Sequence, residues 1–338
     1  MRTTDEPTSP TLAGDFRWIG KHGIGRFAAE ILPRLNALEV CSKIRLLHPL
    51  DPIAQTIAVR QSGCQRYFSP GYNPPIGLKI PSLFVVHDLI HLRFGSERTK
   101  MKTLYYNRIV RPAARRCPFV LTVSEFSKNE ILNWAKIPQD RVVVVGNGVS
   151  AAFTAHGERH KAPRPYCLYV GSLKDHKNVP RLIEAFSRSK SAKDFDLLFT
   201  GPESSQVLGH AAACGVAHQI HFAGMIEDTE MAKIYRGAKA LLFPSLYEGF
   251  GLPALEAMAC GVPVVAPAAG AVREIVGDAA IFCEPSYVES ITAAIDLVLS
   301  DESKCEEIVK RGLLRARDFQ WNRVAARIQD CFRTANSG

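Results

Sequence analysis

Read for its alternation of apolar and polar positions, the chain has a regular second half. From residue 166 onward short apolar runs recur: YCLYV (166–170), DLLFT (196–200), QIHFA (219–223), ALLF (240–243), VPVVA (262–266) and AIF (280–282). Runs this short suit strands buried on both faces, and segments such as VPRLIEAF between them carry helical spacing. Strand and helix in alternation predict a parallel, doubly wound sheet. The first half gives strands at Ile44–Leu47, Ser82–Val86, Phe119–Val123 and Val142–Val145, with a weak first strand in TLAGDFRWI. Phe27, Ile31 and Leu35 line one side of a helix, Ser124 reads as the N-cap of another, and SPGYNPP (69–75) as a rigid loop. Residues 1–10 are polar and proline-bearing and read as disordered. The stretch HGERHKAPRP has linker composition, and a final helix carries Phe319, Val324, Ile328 and Phe332 on one stripe. The α/β pattern therefore divides into residues 1–155, residues 156–318 and a terminal helical segment, 319–338.

One stretch, ALLFPSLYEGFGLPALEAMACG (240–261), is organised for chemistry. An apolar run ends at Pro244, Gly249 and Gly251 follow, and Pro253 stands where a helix begins. A glycine loop opening onto a helix N-terminus offers bare N–H groups and partial positive charge to an anion such as phosphate. Glu248 and Glu256 bracket it. Carboxylates do not bind phosphate, so they suit hydroxyls on either side of it, a sugar on one flank and a ribose on the other. An ordinary Rossmann-type turn with Glu256 solvated also satisfies these glycines.

At 338 residues the chain exceeds one typical core, in keeping with two domains of roughly 150 residues. No apolar run approaches the ~20 residues of a membrane span, and the start MRTTDEPTSP lacks a secretion signal's apolar stretch. A cytoplasmic protein is expected. Nine scattered cysteines without a CxxC pair read as free thiols in a reducing compartment, not as a zinc site. The net charge of +9 is lopsided: residues 1–155 hold 21 Lys and Arg against 11 Asp and Glu, the remainder 21 against 22. Within 97–116, Arg98, Lys100, Lys102, Arg108, Arg111, Arg115 and Arg116 oppose an apolar side of Met101, Leu104, Tyr105, Ile109 and Val110, in a helix expected to end or kink at Pro112. Such a helix suits either an anionic membrane face or plain solvation.

The run SLYEGFGLPALEAMACGVPVVA (245–266) resembles the donor-site signature of retaining glycosyltransferases of family 4, whose paired glutamates are spaced as Glu248 and Glu256 are. The resemblance implies the GT-B fold, two Rossmann-like doubly wound domains facing across a cleft that closes on its substrates. It implies a nucleoside diphosphate sugar as co-substrate, with no cofactor and no essential metal. Glu248 would hold the donor sugar and Glu256 the ribose, with the backbone of Gly249, Phe250, Gly251 and Leu252 at the diphosphate. VGSLKDHKNVPRLIEAF resembles the family's phosphate-binding segment and assigns Lys177 to the pyrophosphate; Ser172 stands in that site where many members have arginine. Met225 and Ile226, in GMIEDTEM, fall where the nucleotide base is read. Gly23 and Gly25 match the first glycine loop, and VVHDLIHLRF places His87 near the donor sugar, with His91 the lesser choice. The catalytic set so implied is His87, Lys177 and Glu248.

The implied reaction moves a hexose, with mannose from GDP-mannose the first guess, to a hydroxyl of a saccharide or lipid-linked saccharide, with retention. A phosphorylase, a nucleotide-sugar epimerase and a non-catalytic relative share the architecture. The basic first half alone suggests nucleic acid, but no recognition motif accompanies it, so no nucleic-acid partner is expected. Asp194 and Asp196 spell DxD, yet they precede a strand where metal chemistry would want them at its end.

Overall fold

The computed structural model describes residues 11–20, 22–95 and 98–335. Residues 11–93, 98–147 and 321–335 form one compact unit, and residues 94–95 and 148–320 the other. The division thus falls before 155 and after 318: Phe153 packs edge-on against Tyr235, and Phe319 against Phe250, all within the second unit. Phe319 is therefore not part of the terminal helix, which runs from Trp321 to Ala335 and buries Val324, Ile328 and Phe332. That helix belongs to the first unit. Trp321 meets Phe27 edge-on, and Arg327 donates to the Val145 carbonyl at 3.2 Å.

In the first unit the strands are β1 (Leu12–Gly14), β2 (Leu38–Glu39), β3 (Arg66–Ser69), β4 (Ser82–Phe84), β5 (Val120–Thr122) and β6 (Val142–Val144). All pairings are parallel, in the order β2-β1-β3-β4, and β5 pairs with β6. A bridge between Val85 and Leu121 and the bond from the Val86 amide to the Leu121 carbonyl, 2.8 Å, join the two sheets. The segment Ile44–Leu47, expected as a strand, is a loop: Leu47 has φ +66°, and the Ile44 carbonyl accepts from Arg17 at 2.7 Å. The edge strand in this region is the exposed pair Leu38–Glu39 instead.

The basic segment is helical from Lys100 to Arg116 and does not break at Pro112. A π-helical turn over Tyr106–Val110 precedes the proline, and opening the ladder there accommodates the missing donor and the ring. Tyr105, Tyr106, Val110, Ala113 and Ala114 form its buried side. Met101 and Leu104, expected on that side, are 72% and 57% exposed.

The second unit holds β7 (Tyr166–Tyr169), β8 (Asp196–Phe199), β9 (Ile220–Phe222), β10 (Ala240–Leu242), β11 (Val264–Pro267) and β12 (Ile281–Cys283) in one parallel sheet, ordered β12-β11-β10-β7-β8-β9. Each predicted apolar run lies on a strand. The helix Val179–Arg188 buries Leu182, Ile183 and Phe186 in a core shared with Ile291, Ile295 and Val298 of the helix Val288–Ser300. All nine cysteines are free. Among the described residues no helix is long and apolar enough to cross a membrane.

Candidate active site

Strands β7 and β10 are neighbours at the centre of the second sheet, where the strand order reverses. Loops leaving the carboxyl ends of two such strands diverge to opposite faces and open a crevice between them. Loop 170–178 follows β7 and loop 243–251 follows β10. Topology alone thus brings Gly171, Ser172 and Lys177 to the same edge as Glu248, Gly249, Phe250 and Gly251.

Three bonds tie the two loops together. Asn178 Nδ2 donates to the Pro244 carbonyl at 3.1 Å, and the Leu246 amide donates to the His176 carbonyl at 2.7 Å. Lys177 Nζ donates to Glu248 Oε1 at 2.6 Å. The Lys177 ammonium also lies 5.1 Å from the centroid of the buried Phe243 ring, a cation–π contact. Asn178 takes the left-handed conformation, φ 62°, to turn the chain into the helix Val179–Arg188. A Cβ on Gly171 would lie 3.2 Å from the Tyr169 hydroxyl and in ordinary contact, 3.5 Å, with Lys177 Cε.

Beyond the second loop, Gly251 adopts φ +101°, and a Cβ there would meet Val272 Cγ2 at 3.0 Å. Its conformation favours glycine, and a Cβ would also require the Val272 side chain to shift. It opens the helix Leu252–Ala259, in which Pro253 stands in the first turn and no side chain caps the N-terminus. Phe250 is buried, edge-on to Phe319. Glu256, one turn into the helix, is only 5% exposed, and its Oε2 accepts from the Tyr235 hydroxyl at 2.8 Å. Tyr235 was not legible as a site residue. It falls on the apolar stripe of the helix Asp228–Gly237, and only tertiary packing sets its hydroxyl against Glu256.

Other expected residues lie further out. Ser172 is exposed, and its carbonyl accepts from the Tyr169 hydroxyl at 2.6 Å. Met225 and Ile226 follow β9 at the edge of the sheet, two strands from β7. Met225 is 71% exposed. Asp196 sits at the amino end of β8, 3.1 Å from His221, away from the crevice edge. Among the described residues no three His, Cys, Asp or Glu side chains converge as metal ligands would.

In the first unit, Gly23 and Gly25 open the helix Gly23–Arg34, whose N-cap is His22. His22 Nδ1 accepts from the Gly25 amide at 3.0 Å, so that donor is already engaged. A Cβ on Gly25 would lie 2.1 Å from the Gly20 carbonyl oxygen, a backbone approach that only glycine permits. His87 is buried beyond β4 with Phe27 edge-on to its ring, and its Nε2 lies 2.8 Å from the Pro70 carbonyl. A carbonyl only accepts, so Nε2 carries the proton and Nδ1 is left as an acceptor. Burial lowers the imidazole pKa to about 4, partly offset by the Pro70 carbonyl.

Sequence reading also missed a buried charged network beside β1. Arg17 pairs with Asp15 and Asp51, each at 2.6 Å, and both carboxylates are fully buried. Asn73 donates to Asp51 at 2.6 Å, and Tyr105 donates to Asn73. Burial alone would lower the Arg17 pKa, but the two carboxylates hold it above its ordinary value.

Residues 153–315 match the family described as Glycosyl transferases group 1, and residues 64–153 match Glycosyltransferase Family 4. O-antigen chain mannosyltransferase B of Escherichia coli is 30% identical over 82% of this chain and 75% of its own length. MMP alpha-(1->4)-mannosyltransferase of Mycolicibacterium hassiacum is 31% identical over 63% of this chain and 53% of its own. Among solved structures, sucrose-phosphate synthase from Thermosynechococcus elongatus superposes with a TM-score of 0.79 at 17% identity, covering 97% of this chain and 100% of that one. WaaG, a glycosyltransferase involved in lipopolysaccharide biosynthesis, gives 0.76 at 14%, covering 95% and 99%. Anabaena Alr3699/HepE in complex with UDP and glucose gives 0.77 at 15%, covering 96% and 100%. These likenesses show the fold, and the sequence matches show the family: the chain is a GT-B enzyme that belongs to the group 1, family 4 glycosyltransferases.

Proposed function

We propose that this glycosyltransferase moves a hexose, mannose in the first instance, from a nucleoside diphosphate sugar to a hydroxyl of a saccharide or lipid-linked saccharide, with retention at the anomeric carbon. The observation that carries the reading is the Lys177–Glu248 pair, held where β7 and β10 diverge by loops that are tied to each other. The mannose assignment rests on the names of the sequence relatives.

In this reading the diphosphate lies against Lys177 and the N–H groups at Gly251 and Leu252. Glu248 accepts hydrogen bonds from the sugar and Glu256, oriented by Tyr235, from the ribose. Breaking the glycosidic C–O bond sends its electron pair to a phosphate oxygen. The lysine and the helix N-terminus stabilise that growing charge without having to reorganise. The acceptor hydroxyl oxygen bonds to the anomeric carbon, and its proton passes to the leaving phosphate or to water. Neither glutamate acts as a nucleophile, and no metal is invoked. Incubation with GDP-mannose and a saccharide acceptor, with NMR assignment of the new anomeric linkage, tests the reading. An α-linked mannoside from the α-linked donor supports it; a β-linkage, free phosphate dependence or an epimerised donor contradicts it.

We also propose peripheral contact with an anionic bilayer through the helix beginning at Lys100. Exposed Met101 and Leu104 lie among exposed Arg98, Lys100 and Arg108, a mixture of apolar tips and cations that suits the headgroup region. Co-sedimentation with phosphatidylglycerol vesicles should fall when Met101 and Leu104 are changed to Ser and when salt is raised. Equal pelleting with purely phosphatidylcholine vesicles counts against it.

A further inference from the structure

Lys177, assigned above to the donor diphosphate, already has an anionic partner. Its ammonium lies 2.6 Å from Glu248 Oε1, and the two side chains are only 12% and 13% exposed. We infer that Glu248 makes the site discriminate between a diphosphate that carries a sugar and one that does not, and so drives release of the nucleoside diphosphate after transfer. The inference rests on the donor-site reading of Lys177 and adds a second role to Glu248.

The ammonium has three N–H donors. One is used by Glu248, and Phe243 occupies one side of the charge, so a phosphate that reaches the lysine arrives within a few ångströms of the carboxylate. The loops cannot easily separate the two groups. The bonds from Asn178 to Pro244 and from Leu246 to His176 hold Lys177 and Glu248 on one rigid frame.

The charge on the ligand changes during the reaction. A sugar-linked diphosphate carries one negative charge on each phosphate. Transfer breaks the bond between the anomeric carbon and the phosphate oxygen, and the electron pair stays on that oxygen. The acceptor oxygen forms the new bond, and its proton is lost to the phosphate or to water. A terminal phosphate has its second ionisation near pH 6, so at neutral pH the product carries a third charge, at the atom the sugar has just left. With donor bound, sugar hydroxyls donate to the Glu248 carboxylate and offset its repulsion of the phosphates. With product bound the hydroxyls are gone and the repulsion has grown. One carboxylate thus favours the donor and disfavours the product.

An opposing effect must be weighed. Glu248 also holds the lysine in place, and its loss would free that side chain and weaken binding. Repulsion between charges a few ångströms apart, in a site largely shielded from water, outweighs the restriction of one side chain. Removing the carboxylate should therefore tighten binding of the bare diphosphate.

Calorimetry of the full chain with GDP, UDP and dTDP, and with inorganic pyrophosphate to isolate the charge, tests this on wild type, Glu248→Gln and Lys177→Ala. Glu248→Ala repeats the comparison with a side chain that cannot misplace a hydrogen bond, and thermal melts establish that each variant is folded. The expected result is about tenfold tighter binding or more in both Glu248 variants for the diphosphate that wild type accepts, with at least about tenfold weaker binding in Lys177→Ala. Turnover in the Glu248 variants should become more sensitive to added nucleoside diphosphate. If Lys177→Ala weakens binding and the Glu248 variants bind no tighter than wild type, the discrimination role is overturned while the donor site stands. If no diphosphate binds wild type, or Lys177→Ala binds as wild type does, the donor-site reading itself fails and this inference with it.

Discussion

Both units contain a glycine-bearing loop that leads into a helix, and the two loops are built differently. In the second unit Gly251 turns the chain with φ +101° into a helix that no side chain caps. Lys177 and Glu248 meet beside the same loop. In the first unit His22 caps the helix, the Gly25 amide is spent on it, and Gly25 is glycine because the backbone of Gly20 presses on it. Glycine before a helix therefore answers two different demands, a positive φ at Gly251 and the close approach of another backbone segment at Gly25.

The sharpest way to break the comparison is to remove the charge from the second loop. Glu248→Ala is expected to lower the rate of transfer by about 10²–10³-fold, with the fold retained in thermal melts, because it removes the interaction proposed for Glu248 at the reacting sugar. Full activity in a folded variant would remove Glu248 from the mechanism.

His87 gives the next largest effect. Its folded pKa, about 4, lies below the ordinary value of 6.5 because burial disfavours the imidazolium. Between those two values the unfolded chain binds the extra proton and the folded chain does not, so stability rises with pH through this window and is lost as pH falls from 6.5 towards 4. The loss amounts to roughly 3 kcal/mol. Urea denaturation across this range should show it, and His87→Gln should flatten the dependence.

Gly25→Ala should act on the fold. A Cβ placed 2.1 Å from the Gly20 oxygen forces the backbone to move, at a cost of about 2 kcal/mol, read as a lower melting temperature. Unchanged stability in this variant would mean that the loop has slack and that its glycine serves something else. Tyr235→Phe is the mildest change. It removes one hydrogen bond to Glu256, costs about 1 kcal/mol of stability and weakens nucleoside diphosphate binding a few-fold. If the hydroxyl positions Glu256 for a ribose, affinity for the 2′-deoxy nucleotide should change less than affinity for the ribonucleotide.

The second unit was the more legible for a physical reason. Its central strands are buried on both faces and leave uninterrupted apolar runs, as Ala240–Phe243 does. A run of that kind has few alternatives to a central parallel strand. The segment Ile44–Leu47 shows the limit: three of its four residues are apolar, but Arg17 captures the Ile44 carbonyl and Leu47 turns with positive φ. The strand Leu38–Glu39, short and exposed at the edge, leaves no pattern to find. The proline at 112 reads as a stop, yet the π turn before it lets the helix pass. Charged residues are the hardest to read. Asp15, Arg17 and Asp51 look like surface positions in the sequence, and only their mutual neutralisation allows them to be buried.

The function proposed above requires a donor site at the junction of β7 and β10. The most direct measurement is calorimetric titration of GDP, UDP and dTDP, without added metal, into wild type and Lys177→Ala. One of the three is expected to bind wild type, and the lysine change to weaken it about tenfold or more while the protein remains folded. Equal affinity in the two proteins would contradict it.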